Sequence, residues 1–348
     1  MRQRKGCYDE IRCFATILVL LVHILGTVVS QFESLEIHKI YKFIFGSIIG
    51  EMMVCNGLFI ALSGALLLPY REESVWNFFR KRIMKTLIPL VIYYLFYLWV
   101  YDKIDFSMES FIQAFKTIFS GADSQTVPHF WLFYVILNLY IVMPLLRWMV
   151  KEISESLMVK IVFFIIGLYL IEFLLHCVGI NQTNLPFVYG WEAYLFCGYF
   201  LTLECSKKYE KFFVAAGIVS ALMLPIIDFI ILPGAENANY IIYDKSPWIL
   251  MMTMALMILF MRRSKEPNII VKVISKYSFS ILMIHWYIMF YVLPVYLQIH
   301  LLMFGKNGFL LALFLQFVLG GVLSFMAAVV IDKTIIQLIN KLFEKLKI

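Results

Sequence analysis

The sequence predicts an all-α integral membrane protein of about ten transmembrane helices with both termini in the cytoplasm. Three observations carry that prediction. Of the 348 residues, 62% are Ala, Val, Ile, Leu, Met, Phe, Trp, Tyr or Cys and only 15% are charged, against about 25% in soluble domains. The apolar residues are gathered in runs long enough to cross a hydrocarbon layer of about 30 Å. Lysine and arginine are dense in every second interval between those runs, as the positive-inside rule requires.

The runs lie at 13–29, 47–68, 87–101, 130–150, 157–177, 187–205, 212–232, 247–261, 277–299 and 309–331, with the sixth and eighth the least strongly marked. The first has the basic start of a secretory signal. Its apolar stretch exceeds a signal core of about 7–15 residues and no small-x-small site follows, so it reads as a membrane helix. Of the 30 Lys and Arg residues, 24 fall at the N-terminus with Arg12, in 69–86, 147–160, 206–211 and 262–276, and in the C-terminal tail. The other six are Lys39, Lys42, Lys103, Lys116, Lys245 and Lys306. An even number of helices with both ends on the basic side satisfies this split. The net charge of +7 then reflects topology and not nucleic-acid binding.

The loops 69–86 and 102–128 are too short to fold alone, so residues 1–348 are expected to form a single membrane domain. In the tail, 332–348, apolar residues at helical spacing oppose lysines, the pattern of an amphipathic helix at the interface. The six cysteines show no C-x-x-C spacing and read as packing residues.

Chemistry is expected among polar groups inside the apolar runs, where a charged side chain costs at least about 2.5–3.5 kcal/mol. His23 lies roughly 16 Å beyond Arg12 and His285 roughly 13 Å beyond Lys276 at the helical rise of 1.5 Å per residue. Two histidines from different helices thus approach one depth. Each could be a neutral, hydrogen-bonded contact between helices; as a pair they also suit general base chemistry. Neither has further ligands at short spacing, which speaks against zinc.

The interval before the third run contains Arg80, Lys81, Arg82 and Lys85, followed by Pro89. A topology signal explains this cluster; so does a site for a polyanion such as a phosphorylated cofactor. No glycine-rich phosphate loop is present. On the outer half of several runs lie Glu51, Glu172, Glu192 and Asp228, with His129 and His176 at outer ends. Carboxylates of this kind suit sugar hydroxyls if they line a cavity, and His176 and Asp228 are expected simply to face water.

Across nearly its whole length the chain resembles the membrane acyltransferase-3 family. The resemblance rests on Asp9-Glu10-Ile11-Arg12 followed by His23, on the stretch from Gly57 to Ser63-Gly64, and on Arg82-Ile83-Met84-Lys85 with Pro89. It continues in His129-Phe130-Trp131, in Gly198-Tyr199, and in the run from Ser278 to His285. Lys85 stands where the family has a second Arg, and Ser280 and Leu282 where it has Gly and Tyr.

The resemblance implies an O-acyltransferase moving an acyl group, commonly acetyl, from cytoplasmic acyl-CoA to a hydroxyl of a cell-surface polysaccharide or lipid-linked sugar. It implies catalytic roles for His23, His285, Asp9 and Arg12, with Arg80, Arg82 and Lys85 holding the coenzyme's phosphates. Glu51, Ser63, His129 and Trp131 are the substrate-binding candidates. No permanently bound cofactor, metal or nucleic acid is expected. The expected partners are acyl-CoA, the glycan acceptor and membrane lipid, in the plasma membrane. The other class considered is a transporter or flippase for a polar glycan or amino acid, with the histidines as proton relays. The halves show no corresponding Gly- or Pro-broken helices of the kind transporters carry.

Overall fold

The computed structural model describes residues 6–31, 39–102, 105, 107–120, 127–180, 191–231, 246–263 and 266–345, and among them every regular element is a helix. Eight helical segments are long and apolar enough to cross a membrane: Gly6–Ser30, Ile40–Leu67, Val75–Tyr101, Pro128–Glu152, Glu155–Cys177, Glu204–Ile231, Ile269–Tyr296 and Phe304–Phe343. Each overlaps one of the runs read from the sequence. The sixth and eighth runs fold as shorter helices, Glu192–Phe200 and Pro247–Met261. At 1.5 Å per residue, even the 15 residues of the latter reach only about 22 Å, and ten of them are buried.

We number the helices α1 (Gly6–Ser30), α2 (Lys39–Met52), α3 (Val54–Leu67), α4 (Val75–Arg82), α5 (Ile88–Tyr97), α6 (Met108–Ser120), α7 (Trp131–Glu152), α8 (Glu155–Cys177), α9 (Glu192–Phe200), α10 (Glu210–Ile226), α11 (Pro247–Met261), α12 (Ile269–Tyr287), α13 (Leu301–Ile331) and α14 (Gln337–Lys345). Several starts are capped as the sequence dictates. Ser74, Ser154, Ser246 and Asn268 each accept the backbone N–H three residues on, satisfying a donor with no partner inside the helix. Between α4 and α5 the chain makes a wider π turn, Ile83–Leu87. It sits just before Pro89, which has no N–H to offer the Lys85 carbonyl.

Membrane helices gain little from burying apolar surface against one another, so close approach depends on small residues. Helices α3 and α9 meet backbone to backbone. A Cβ added at Gly64 would collide with the Leu195 carbonyl, and one at Gly198 with the Ala61 carbonyl. Helices α10 and α11 meet likewise where Gly217 faces Ala255 and the Met251 carbonyl. Helix α1 is central, packing against α12, α3, α2, α13 and α11.

One feature departs from the sequence reading. The interval 102–128 contains α6, which presents Met108, Phe111, Ile112, Phe115 and Phe119 outward and is tied to α7 where Tyr134 donates to the Ile118 carbonyl at 2.6 Å. The C-terminal tail continues α13 through a wide turn, Asp332–Ile336, into α14, with Leu338 and Leu342 exposed; residues 346–348 of that tail lie outside the described residues. So do Lys103 and Lys245 among the basic residues assigned to the other side, and residues 187–190 of the sixth run.

Candidate active site

The site is built from the bundle's basic end, where 69–86 and the described residues of 262–276 lie, toward its opposite end. At the basic end α1 and α12 are tied by a small polar network. The Ser275 hydroxyl donates to Asp9 Oδ1 at 2.7 Å, and Arg12 reaches Ser275 Oγ at 3.2 Å and Asp9 at 3.7 Å. Asp9 is almost fully buried. This tie fixes the register of the two helices that carry His23 and His285.

Those histidines meet further along, with ring centroids 5.1 Å apart. A third joins them: His129, in the short turn before α7, lies 5.2 Å from His285 by ring centroid. Trp286 completes the cluster, its ring parallel to His129 at 5.3 Å and edge-on to His23 at 5.2 Å. The carbonyls around them set the tautomers, since a carbonyl can only accept. His285 Nδ1 donates to the Leu282 carbonyl at 2.8 Å and His129 Nε2 to the Met283 carbonyl at 3.3 Å. That leaves a lone pair on His285 Nε2 and on His129 Nδ1, both buried and without a hydrogen-bond partner. Among the described residues no group of three or more His, Cys, Asp or Glu is placed to hold a metal ion.

Cavities open on both sides of the cluster. Toward the basic end a pocket of about 250 Å³ is lined by Arg12, Ser63, Arg82, Lys85, Tyr140, Phe133 and Leu282, among others. Toward the opposite end a cavity of about 520 Å³ is lined by His23, Trp286, Trp131 and Asn56, with Thr27, Ser30 and Gln31 at its edge. Leu282 belongs to the first, Trp286 to the second, and His285 stands between them in sequence. The guanidinium of Arg82 lies 4.6 Å over the Phe78 ring and 5.7 Å over Tyr140. Arg147 approaches the same Phe78 ring at 4.6 Å. Arg147 is itself held by the Leu67 carbonyl and by Glu73 at 3.1 Å, and Lys81 pairs with Glu73 at 2.6 Å. The Lys81 hydrogen bond, then Arg147, holds the Glu73 carboxyl below the ordinary carboxylate range.

The structure therefore brings together many of the residues singled out from the sequence, though not all in the expected places. His23, His285 and His129 share one cluster, and Trp131 lines the cavity beside it. Arg12, Arg82 and Lys85 share the basic-end pocket with Ser63, which was expected near the acceptor. Arg80 is exposed and absent from that pocket. Asp9 touches Ser275 and Arg12 and not the histidines. Glu51 lies on the other face of its helix, in a groove with Phe14, Leu18 and Gly217, because Ile49 and Met53 take the cavity-facing positions. Glu172 and His176, read as outer-end polar groups, are buried within the bundle. Among the described residues no carboxylate lines the larger cavity; beside the His23 imidazole, the Cys55 thiol and the two indoles, its polar side chains are amides and hydroxyls.

Three contributors escaped the sequence reading: Trp286, Asn56 and Arg147. Asn56 carried a signal, as a lone amide inside the apolar run 47–68, and so did Arg147, a charge flanked by apolar residues on both sides. Compared with known proteins, residues 6–333 match a family model described as an acyltransferase domain, Acyl_transf_3. No curated protein and no solved structure gave a match.

Proposed function

The chain belongs to the Acyl_transf_3 family of acyltransferases, and from that premise we propose that it transfers an acyl group, in the first instance acetyl, from acyl-CoA to a hydroxyl of a cell-surface polysaccharide or lipid-linked sugar. In this reading the basic end and both termini face the cytoplasm of a plasma-membrane protein. Arg82, Lys85 and Arg12 hold the phosphates of the donor, whose acyl arm enters the basic-end pocket beside Leu282 and Phe133. The acceptor sugar enters the opposite cavity, where Trp131 and Trp286 offer flat faces and Asn56 an amide.

The observation that carries this reading is the placement of the histidine cluster between two cavities of opposite character, one cationic and one neutral. His23 lines the acceptor cavity and serves as the general base. It takes the proton of the attacking hydroxyl as the new C–O bond forms at the thioester carbonyl. The C–S bond then breaks, and the departing thiolate recovers the proton from the imidazolium. His285, anchored through Nδ1, packs its ring against the His23 ring and limits how that ring can turn. Holding both substrates at one point supplies the remaining acceleration.

The test is genetic and chemical. Deleting the gene should remove an alkali-labile acyl ester from a surface glycan, and wild-type protein, but not the His23→Gln variant, should restore it. Unchanged ester content in the deletion strain would overturn the proposal.

A further inference from the structure

In an unbroken α-helix the Tyr287 N–H would donate to the Met283 carbonyl four residues back. In α12 it does not. The Tyr287 N–H donates to the Tyr97 hydroxyl at 3.1 Å, and that hydroxyl donates to the Met283 carbonyl at 2.9 Å. A side chain from α5 has thus entered the hydrogen-bond ladder of α12 at the turn carrying His285 and Trp286. Beyond this turn the helix continues in the wider π form, Ile288–Tyr296. Insertions of this kind loosen a helix locally, and π segments concentrate at functional sites. Pro294 does not explain the opening, since its missing N–H concerns the Phe290 carbonyl, two turns further on.

The opened carbonyl has a second partner, because His129 Nε2 donates to Met283 as well. Tyr97 is fully buried and also packs its ring edge-on against His129 at 5.3 Å. One phenol therefore touches both the backbone that carries His285 and the ring of the third histidine.

We infer that Tyr97 is a positioning residue for the proposed acyl transfer: its hydroxyl bridges the Tyr287 N–H and the Met283 carbonyl and so sets the turn of α12 that carries His285 and Trp286 and anchors His129. The inference rests on the acyltransferase reading for its chemistry, and on the ladder alone for its geometry. Without the hydroxyl, the Met283 carbonyl and the Tyr287 N–H lose their shared partner, the turn relaxes, and the carbonyl that holds His129 shifts with it. The ring then loses its anchor, and misalignment of reacting groups on the ångström scale costs up to about 100-fold in rate.

The experiment uses the full chain in lipid nanodiscs with ¹⁵N-labelled histidine and Tyr97→Phe, which keeps the ring and removes the hydroxyl. Expected are a kcat for transfer from acetyl-CoA reduced about 10- to 100-fold, donor KM within twofold of wild type, and displaced His129 ring resonances. Adding His129→Ala should cost less than the product of the two single losses, as for residues acting through one carbonyl. Replacement of Tyr97 by 3,5-difluorotyrosine keeps the shape and weakens the accepting oxygen, and should give an intermediate kcat if the phenylalanine variant does not insert. Wild-type kcat in Tyr97→Phe overturns the inference. A wild-type protein that transfers no acyl group overturns the acyltransferase reading instead, and unmoved His129 resonances in Tyr97→Phe would then overturn the positioning role on its own.

Discussion

His23 on α1 and His285 on α12 stand ring to ring at 5.1 Å, with His285 held in one tautomer by the Leu282 carbonyl. The pair is not an accident of two polar residues at similar depth. The same helices are pinned at their basic ends by Asp9 and Ser275, so the meeting point is fixed by register. His23 reaches the larger cavity while His285 is sealed behind it, and in the proposed reaction this difference would leave the acceptor proton to His23.

Replacing His23 by glutamine should abolish acyl transfer without loss of the folded protein. Removing a general base costs about 10²–10⁴-fold in rate, whereas a polar contact between membrane helices is worth about 0.6 kcal/mol. Acyl transfer measured in membranes at matched abundance decides the matter; near wild-type activity would exclude His23 as the base.

The two arginines of the basic cluster should separate. Arg82 lines the pocket and is steadied by Phe78 and Tyr140, whereas Arg80 is exposed outside it. Arg82→Ala should raise donor KM about tenfold or more, the worth of a charge-assisted hydrogen bond, with kcat changed less. Arg80→Ala should leave both constants alone. Steady-state kinetics with varied acetyl-CoA checks this; equal effects of the two variants would make the cluster a topology signal only.

Much of this was legible in the sequence because the membrane imposes a length rule. Any span must be apolar over about 20 residues, and the eight long helices follow from that alone. Helices α9 and α11 could not be read so easily, since a segment enclosed by other helices needs no minimum length. Helix α6 was invisible for the opposite reason: its exposed phenylalanines and its charges alternate at helical spacing within an interval defined only as a loop. In the site, His23 and His285 stood out as ionisable groups among apolar ones. Trp286 counted as one more apolar residue. Glu51 was misplaced because the chain turns at Met53 between α2 and α3, and a break in a helix resets which residues share a face.

The α3–α9 crossing should tolerate no side chain. Gly64→Ala or Gly198→Ala places a methyl against a facing carbonyl, and neither backbone can yield without separating the helices. Overpacking of this kind costs about 1–3 kcal/mol. Each variant should melt earlier than wild type in detergent, and the double variant should cost less than the sum because the first separation makes room for the second. Gly26→Ala, with open space around it, is the control and should melt as wild type does; a wild-type melting temperature for Gly198→Ala would show that the helices do not meet as described.

The last prediction concerns Glu73, which neutralises a buried cation. Arg147 and Glu73 have side chains only 8% and 13% exposed, so removing the carboxylate strands a guanidinium beside Phe78 and the Leu67 carbonyl. Breaking a buried pair from one side costs about 3–5 kcal/mol, and Glu73→Ala should lower the thermal midpoint accordingly. Because Arg82 leans on the same Phe78 ring, donor KM should rise in this variant even though Glu73 lies outside the pocket. Acid should mimic the mutation. The folded-state pKa of Glu73 is depressed by Lys81 and Arg147, so its contribution to stability is complete above the unfolded value of about 4.3 and is lost as pH falls through the lower folded value. Thermal midpoints of wild type and Glu73→Gln should therefore draw together as pH falls from 7 through the unfolded value, because the wild type progressively loses the stability that its charged carboxylate supplies. Parallel curves across that range would mean that the ion pair contributes nothing, and that Arg147 is held by the backbone carbonyl alone.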